Sequence, residues 1–216
     1  MRSLIVEDHS LLTEGYRKIL EELLPPSELK VDEVQDCKSA YEILKKSRNS
    51  YDLILLDINL PSDHKRNVES GIDLIPLIRS TNKESLLVVI TSHSQAILLY
   101  DLLREHQPNG LLVKSDFNGD SLRLAFEKIF GGTQVTTDSV TAAVDIITSK
   151  KEYLDLHNRQ IITLIAKGIK TKSMTKYLPL STSAIDKRKA QIKDYFLIRT
   201  GSDEDIVREA RKFGLI

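Results

Sequence analysis

Leu53-Ile54-Leu55-Leu56-Asp57 is the stretch on which the fold turns. Short continuous apolar runs separated by helical patterns read as strands buried on both faces of a parallel sheet. Three more runs repeat the design: Leu4-Ile5-Val6 before Glu7 and Asp8, Leu86-Leu87-Val88-Val89-Ile90 before Thr91, and Leu111-Leu112-Val113 before Lys114. In an open parallel α/β sheet, ligands sit at the carboxyl ends of the strands, so these residues are expected to converge. An acceptor carboxylate, two further acids, a hydroxyl and an ammonium are the groups that one phosphoryl site needs.

The segments between these runs are helical. Leu11, Leu12, Tyr16, Ile19, Leu20 and Leu23 recur at helical spacing until Pro25-Pro26. Val31 and Val34 suggest another strand, and Ala40, Ile43 and Leu44 a short helix behind it. Further helices are expected around residues 72–78, 95–106 and 120–130. Five strands alternating with five helices predict an α/β, doubly wound, flavodoxin-like domain over residues 1–130, with strand order 2-1-3-4-5. Gly131-Gly132 ends that unit, and residues 131–151 read as a linker carrying one more helix over 139–147. Residues 152–216 show no strand pattern and predict a small all-helical domain: a first helix ending at Gly168, then 171–178, 181–196, and a fourth opening on the capping-box-like Ser202-Asp203-Glu204-Asp205.

Length and composition agree with two modest domains. The chain has 216 residues, 41% hydrophobic and 29% charged, as in a soluble globular protein. No run approaches a membrane span, and Met1-Arg2-Ser3 leads into a strand without a signal-peptide pattern, so the expected compartment is the cytoplasm. Cys37 is the only cysteine, which excludes an internal disulfide, and five scattered histidines lack metal-site spacing. The net charge of zero conceals a division. Residues 1–130 carry 16 Lys and Arg against 21 acids, whereas residues 150–216 carry 15 against 8. A basic C-terminal module is suited to nucleic acid, although a solvated basic surface is the bland alternative.

Asp57 is the acceptor candidate because its strand is central, between the strand carrying Glu7 and Asp8 and the strand carrying Thr91. A carboxylate is a usable phosphoryl nucleophile. Crowded acids repel one another, and Mg²⁺ suits oxygen-only ligands, normally taking one or two carboxylates plus phosphate. Lys114 and the Thr91 hydroxyl would each meet a phosphoryl oxygen. A strand-end Asp can instead simply cap the next helix, and it is the ordered set of four strand ends that argues against that.

Residues 1 to about 130 resemble the receiver domain of two-component response regulators, through Val6-Glu7-Asp8-His9, Leu56-Asp57-Ile58-Asn59-Leu60-Pro61, Ile90-Thr91-Ser92 and Val113-Lys114-Ser115. The resemblance implies a sensor histidine kinase as phosphoryl donor, Mg²⁺ held by Glu7, Asp8, Asp57 and the Asn59 backbone carbonyl, self-dephosphorylation rather than dedicated enzyme activity, and Thr91 as switch hydroxyl. It also implies that Asn59 and His93 tune hydrolysis. Two departures stand out: Gly71 follows a longer charged loop, Ser62-Asp63-His64-Lys65-Arg66-Asn67, and Leu111 replaces a usual aromatic.

The C-terminal region resembles the LuxR-type helix-turn-helix of the NarL and FixJ class, through Asn158-Arg159-Gln160-Ile161-Ile162, Leu164-Ile165-Ala166-Lys167-Gly168, Thr171-Lys172-Ser173-Met174 and Leu180-Ser181-Thr182-Ser183-Ala184-Ile185. Double-stranded DNA is then the expected partner, bound as a homodimer, with RNA polymerase a further candidate. Ser181 would cap the recognition helix and aim its N-terminal half into a major groove. The DNA-binding set is Lys172, Ser183, Asp186, Lys187, Arg188 and Lys189, with Lys170 and Lys176 as further phosphate contacts. Asp186 stands where the family commonly has a basic residue. Ile206, Val207, Ala210 and Phe213 stripe the last helix, which the family uses for dimerisation. Two competing readings are a protein-interaction module and an aspartyl-nucleophile phosphatase of the haloacid dehalogenase type, the latter lacking its second acid at Asn59.

Overall fold

The computed structural model describes residues 1–25, 27–46, 50–150 and 153–216. Pro26 of the expected helix stop and Lys151 and Glu152 of the expected linker lie outside the described residues. Two compact units emerge: Met1–His93 with Leu102–Asp138, and Ser94–Asp101 with Ser139–Ile216.

In the first unit, β1 (Arg2–Val6), β2 (Lys30–Val34), β3 (Leu53–Asp57), β4 (Leu86–Thr91) and β5 (Gly110–Val113) are all parallel and alternate with α1 (Ser10–Leu23), α2 (Cys37–Lys46), α3 (Ile75–Thr81), α4 (Ala96–His106) and α5 (Gly119–Phe130). The sheet order is β2-β1-β3-β4-β5-β6. The doubly wound order is as expected, but the sheet has six strands rather than five. The sixth, β6 (Val135–Thr136), pairs Val135 with Gly110 and Thr136 with Leu111. Two residues are too few to carry a periodicity in the sequence. Its stabilisation is backbone pairing, aided by the Thr137 hydroxyl, which accepts from the Val113 N–H at 3.1 Å. It covers an edge that would otherwise expose unpaired donors and acceptors.

The central strands are buried on both faces because their runs are apolar at every position. Ile5, Leu53, Leu55, Val88, Ile90 and Leu112 meet Tyr16 and Leu20 of α1 and Leu122, Phe126 and Ile129 of α5. The alternate residues of the same strands face the other side of the sheet. The glycine after the charged loop has a steric reason. A Cβ on Gly71 would lie 2.1 Å from the Asp57 carbonyl oxygen and 2.9 Å from Ile58 Cα, so the chain passes there without room for a side chain.

The second unit contains α6 (Asp138–Ser149), α7 (Leu156–Ala166), α8 (Thr171–Met174), α9 (Thr182–Tyr195) and α10 (Asp203–Lys212). Ile161, Ile162, Met174, Ile185, Ile192, Ile206 and Ala210 form its interior. The first turns of α4 belong to this unit. There the N–H groups of Ala96 and Ile97, which have no intrahelical acceptor, donate to the Gly214 and Leu215 carbonyls at 2.9 and 3.1 Å. Arg159 is 7% exposed. Its guanidinium donates to Asp101 at 2.8 and 2.5 Å, to the Leu154 carbonyl at 2.8 Å, and lies 4.7 Å over the Tyr100 ring.

Candidate phosphoryl site and helical interface

Glu7, Asp57, Thr91 and Lys114 stand at or just beyond the carboxyl ends of β1, β3, β4 and β5. The parallel register sets Val6 beside Leu56, Asp57 beside Ile90 and Thr91 beside Val113, bringing the four positions onto one rim. Asp57 is 2% exposed and Glu7 1%, an unusual burial for carboxylates. Both are held by one ammonium: Lys114 Nζ lies 2.7 Å from Asp57 Oδ2 and 2.8 and 3.1 Å from the two Glu7 oxygens. Asp57 Oδ1 accepts the Asn59 N–H at 2.9 Å, and Thr91 Oγ1 accepts the His93 N–H at 3.0 Å. The structure thus brings Asp57, Glu7 and Lys114 into direct contact, with Thr91 buried on the neighbouring strand.

Two carboxylates share the one lysine, and His9 Nδ1 lies 3.1 Å from Glu7 Oε1 at the edge of the cluster. Burial pushes the Glu7 carboxyl up, Lys114 opposes that, and Asp57 adds to it. Burial alone would lower Lys114, but hydrogen bonds to Asp57 and Glu7 outweigh it and keep the ammonium charged. The acids at the end of β1 extend the cluster. Asp8 Oδ1 is buried without a hydrogen bond and forms a charge contact with His9 Nδ1 at 2.6 Å. Glu7, Asp8 and His9 offer ligand atoms that all lie within 4.8 Å of one another. A buried carboxylate oxygen without a hydrogen bond, beside the Glu7 carboxylate, fits a hard divalent cation with oxygen ligands.

The inserted loop is built rather than open. Asp63 and Val68 form an antiparallel bridge, closing a short turn over His64–Arg66. Arg66 pairs with Asp63, reaches Glu42 of α2 at 3.2 Å and lies 5.2 Å over the Tyr41 ring. Leu111, at the position of the missing aromatic, is buried within β5.

On α9 the expected basic residues part company. Ser181 caps the helix, accepting from the Ala184 N–H at 3.2 Å. Lys187, Ser183 and Asp186 are exposed, as is Lys172. Arg188 instead turns inward, donating to Asp155 at 2.7 and 2.9 Å and to Asn158 at 2.9 Å. Lys189 reaches Asp203 at 2.5 Å and Thr171 at 3.0 Å. Both therefore fasten α9 to its neighbours, and of the three consecutive basic residues only Lys187 is exposed. Consecutive residues lie about 100° apart on a helix, so three in a row cannot share one face. The stripe on α10 divides between the interior and the surface. Ile206 and Ala210 are fully buried in their own unit, leaving half-buried Val207 and Phe213, which is 53% exposed, for any dimer.

Sequence reasoning missed Arg159, Asp101 and the Asp155–Asn158 clamp. Asp155 had a legible signal, since an Asp three residues before Asn158 at a helix start is a cap, and it accepts that N–H at 2.8 Å. The Arg159 pairing spans 58 residues and carried no local signal.

Comparison with known proteins agrees with this architecture. Residues 3–127 match the response regulator receiver domain family. Among solved structures, RcsB response regulator from Salmonella typhimurium is similar at 22% identity and a TM-score of 0.60, covering 98% of this chain and 99% of that one. A structure of two RcsB dimers bound to two parallel DNAs is similar at 22% identity and 0.64, over 98% of both chains. RcsB from Salmonella enterica serovar Typhimurium, bound to promoter P1flhDC with phosphomimetic BeF3⁻, is similar at 21% and 0.64, over 97% of both. At these identities the likeness concerns the fold.

Proposed function

The chain belongs to the response regulator receiver family, and on that premise we propose that it is a phosphorylation-controlled, DNA-binding transcription regulator. The observation that carries the reading is the buried Asp57–Lys114–Glu7 junction at the sheet rim. An Asp57 carboxylate oxygen attacks the phosphorus of a phosphohistidine on a sensor kinase; the P–N bond breaks and its electron pair leaves with the imidazole. Lys114, already 2.7 Å from Asp57 Oδ2, would offer the new phosphoryl oxygens charge-assisted hydrogen bonds. The Thr91 hydroxyl serves another oxygen, and turning toward it releases the His93 N–H that it now holds.

Glu7, Asp8, Asp57 and the Asn59 carbonyl would hold Mg²⁺, which supplies charge neutralisation at the transferring phosphoryl group. Hydrolysis of the acyl phosphate restores Asp57, with Asn59 and His93 shaping water's approach. Residues 1–130 act as the receiver, 131–151 as the linker and 152–216 as the DNA-binding domain, working in the cytoplasm as a homodimer on DNA. Among the described residues no helix is long and apolar enough to cross a membrane. The experiment is intact-mass measurement after treatment with acetyl phosphate, with and without Mg²⁺, followed by titration with duplex DNA. Mg²⁺-dependent gain of one phosphoryl group and salt-sensitive DNA binding support the reading. Equal labelling of Asp57→Asn, or turnover of small phosphoesters in place of a single labelling event, would defeat it.

A further inference from the structure

The outward face of α9 is chemically unlike a general DNA-binding surface. With Arg188 held by Asp155 and Asn158, and Lys189 by Asp203 and Thr171, the exposed residues at helical spacing are Ser183, Asp186, Lys187, Ala190, Gln191 and Asp194. Lys187 is the one cation among them, against two carboxylates. Asp186 lies in the second turn, and among the described residues it has no hydrogen bond or ion pair. A carboxylate there weakens every phosphate contact nearby, so nonspecific affinity does not explain it.

We propose that Asp186 is the specificity-determining residue of this helix and selects a cytosine in the half-site, an inference that rests on the DNA-binding reading above. The major-groove edges decide the base. Guanine shows two acceptors, O6 and N7, and thymine shows the O4 acceptor and a methyl group; a carboxylate is repelled by all three oxygen or nitrogen acceptors. Adenine offers its N6 amino group but sets the N7 acceptor beside it. Cytosine offers the N4 amino donor with no neighbouring acceptor on the same base, which leaves it as the best partner for a group that can only accept. Arginine reading of guanine is removed from this helix by the inward turn of Arg188. Lys187, about 100° around the helix from Asp186, serves phosphate and adds affinity without choice of base.

The test is selection of binding sites from a pool of random duplex DNA by the full-length protein, wild type beside Asp186→Ala, Asp186→Asn and Lys187→Ala. Wild type should enrich one invariant C·G pair in each half-site, with about tenfold discrimination against the other three pairs. Asp186→Ala should lose that preference while binding an unrelated duplex more tightly. Asp186→Asn should move the preference toward adenine, which an amide can meet at both N6 and N7. Lys187→Ala should bind all sequences more weakly with the preference intact. Asp186 is exposed and has no partner among the described residues, so its variants should keep the wild-type circular dichroism. An unaltered preference in Asp186→Ala overturns the assignment while leaving DNA binding standing; failure of wild type to bind any duplex overturns both.

Discussion

Lys114 and Lys189 are both lysines held by carboxylates, yet they belong to opposite designs. At the rim of the sheet, Lys114 is shared by two buried acids, Glu7 and Asp57, of which only Glu7 has a further basic neighbour, His9 at 3.1 Å. In the helical unit, Lys189, Arg188 and Arg159 each connect one element to another and leave the outward face of α9 almost neutral. Charge in the first region is stored for a reaction; charge in the second is a fastener. The difference arises from burial and count: two acids per lysine leave a deficit that a ligand can satisfy, whereas one acid per cation is complete in itself.

The comparison predicts that altering the pocket changes function without loss of stability, and altering the fasteners does the reverse. The largest effect is expected for Asp57→Asn. It should abolish phosphoryl labelling altogether, measured by intact mass, while the thermal midpoint does not fall, because Glu7 still pairs with Lys114 and one repulsion is gone. A midpoint lowered as far as in the fastener variants would break the comparison.

Arg159→Ala should leave labelling intact and cost about 3 kcal/mol, since Asp101 would remain mostly buried with no cation to offset the burial that already pushes its carboxyl up. Denaturant unfolding measures this. Gly71→Ala sits between the two designs. Its Cβ would collide with the backbone of the acceptor residue, so it should cost about 2 kcal/mol and slow labelling together. Normal labelling in that variant would show that the rim tolerates a displaced Asp57.

The smallest effects separate two adjacent residues. Lys187→Ala should lower the salt slope of DNA binding by about 0.9 with no change in stability, whereas Arg188→Ala should leave the slope alone and lower stability. The pH dependence sharpens this. Burial acts to raise the Asp155 carboxyl, but Arg188, the Asn158 N–H and His157 hold it below its ordinary value of 3.8. A depressed carboxylate contributes stability above its unfolded pKa, and that contribution is lost as pH falls through the folded value. Wild type should therefore lose stability below pH 3.8 more steeply than Arg188→Ala, a difference that acid titration by circular dichroism would detect.

The sequence by itself determined the strand ends. Short uninterrupted apolar runs between helical patterns read as strands buried on both faces, parallel strands put their carboxyl ends on one rim, and so Glu7, Asp57, Thr91 and Lys114 were legible before any coordinate. It also determined a second, helical unit and the cap at Ser181. The tertiary structure alone decided the rest: the two-residue β6, too short to have a period; the need for glycine at 71, which depends on a backbone passing over it; and the inward turn of Arg188 and Lys189. A run of three basic residues records charge but not azimuth. Which of them meets a carboxylate is set by neighbours 14 or 33 residues away in the chain, and only packing brings those neighbours to the helix.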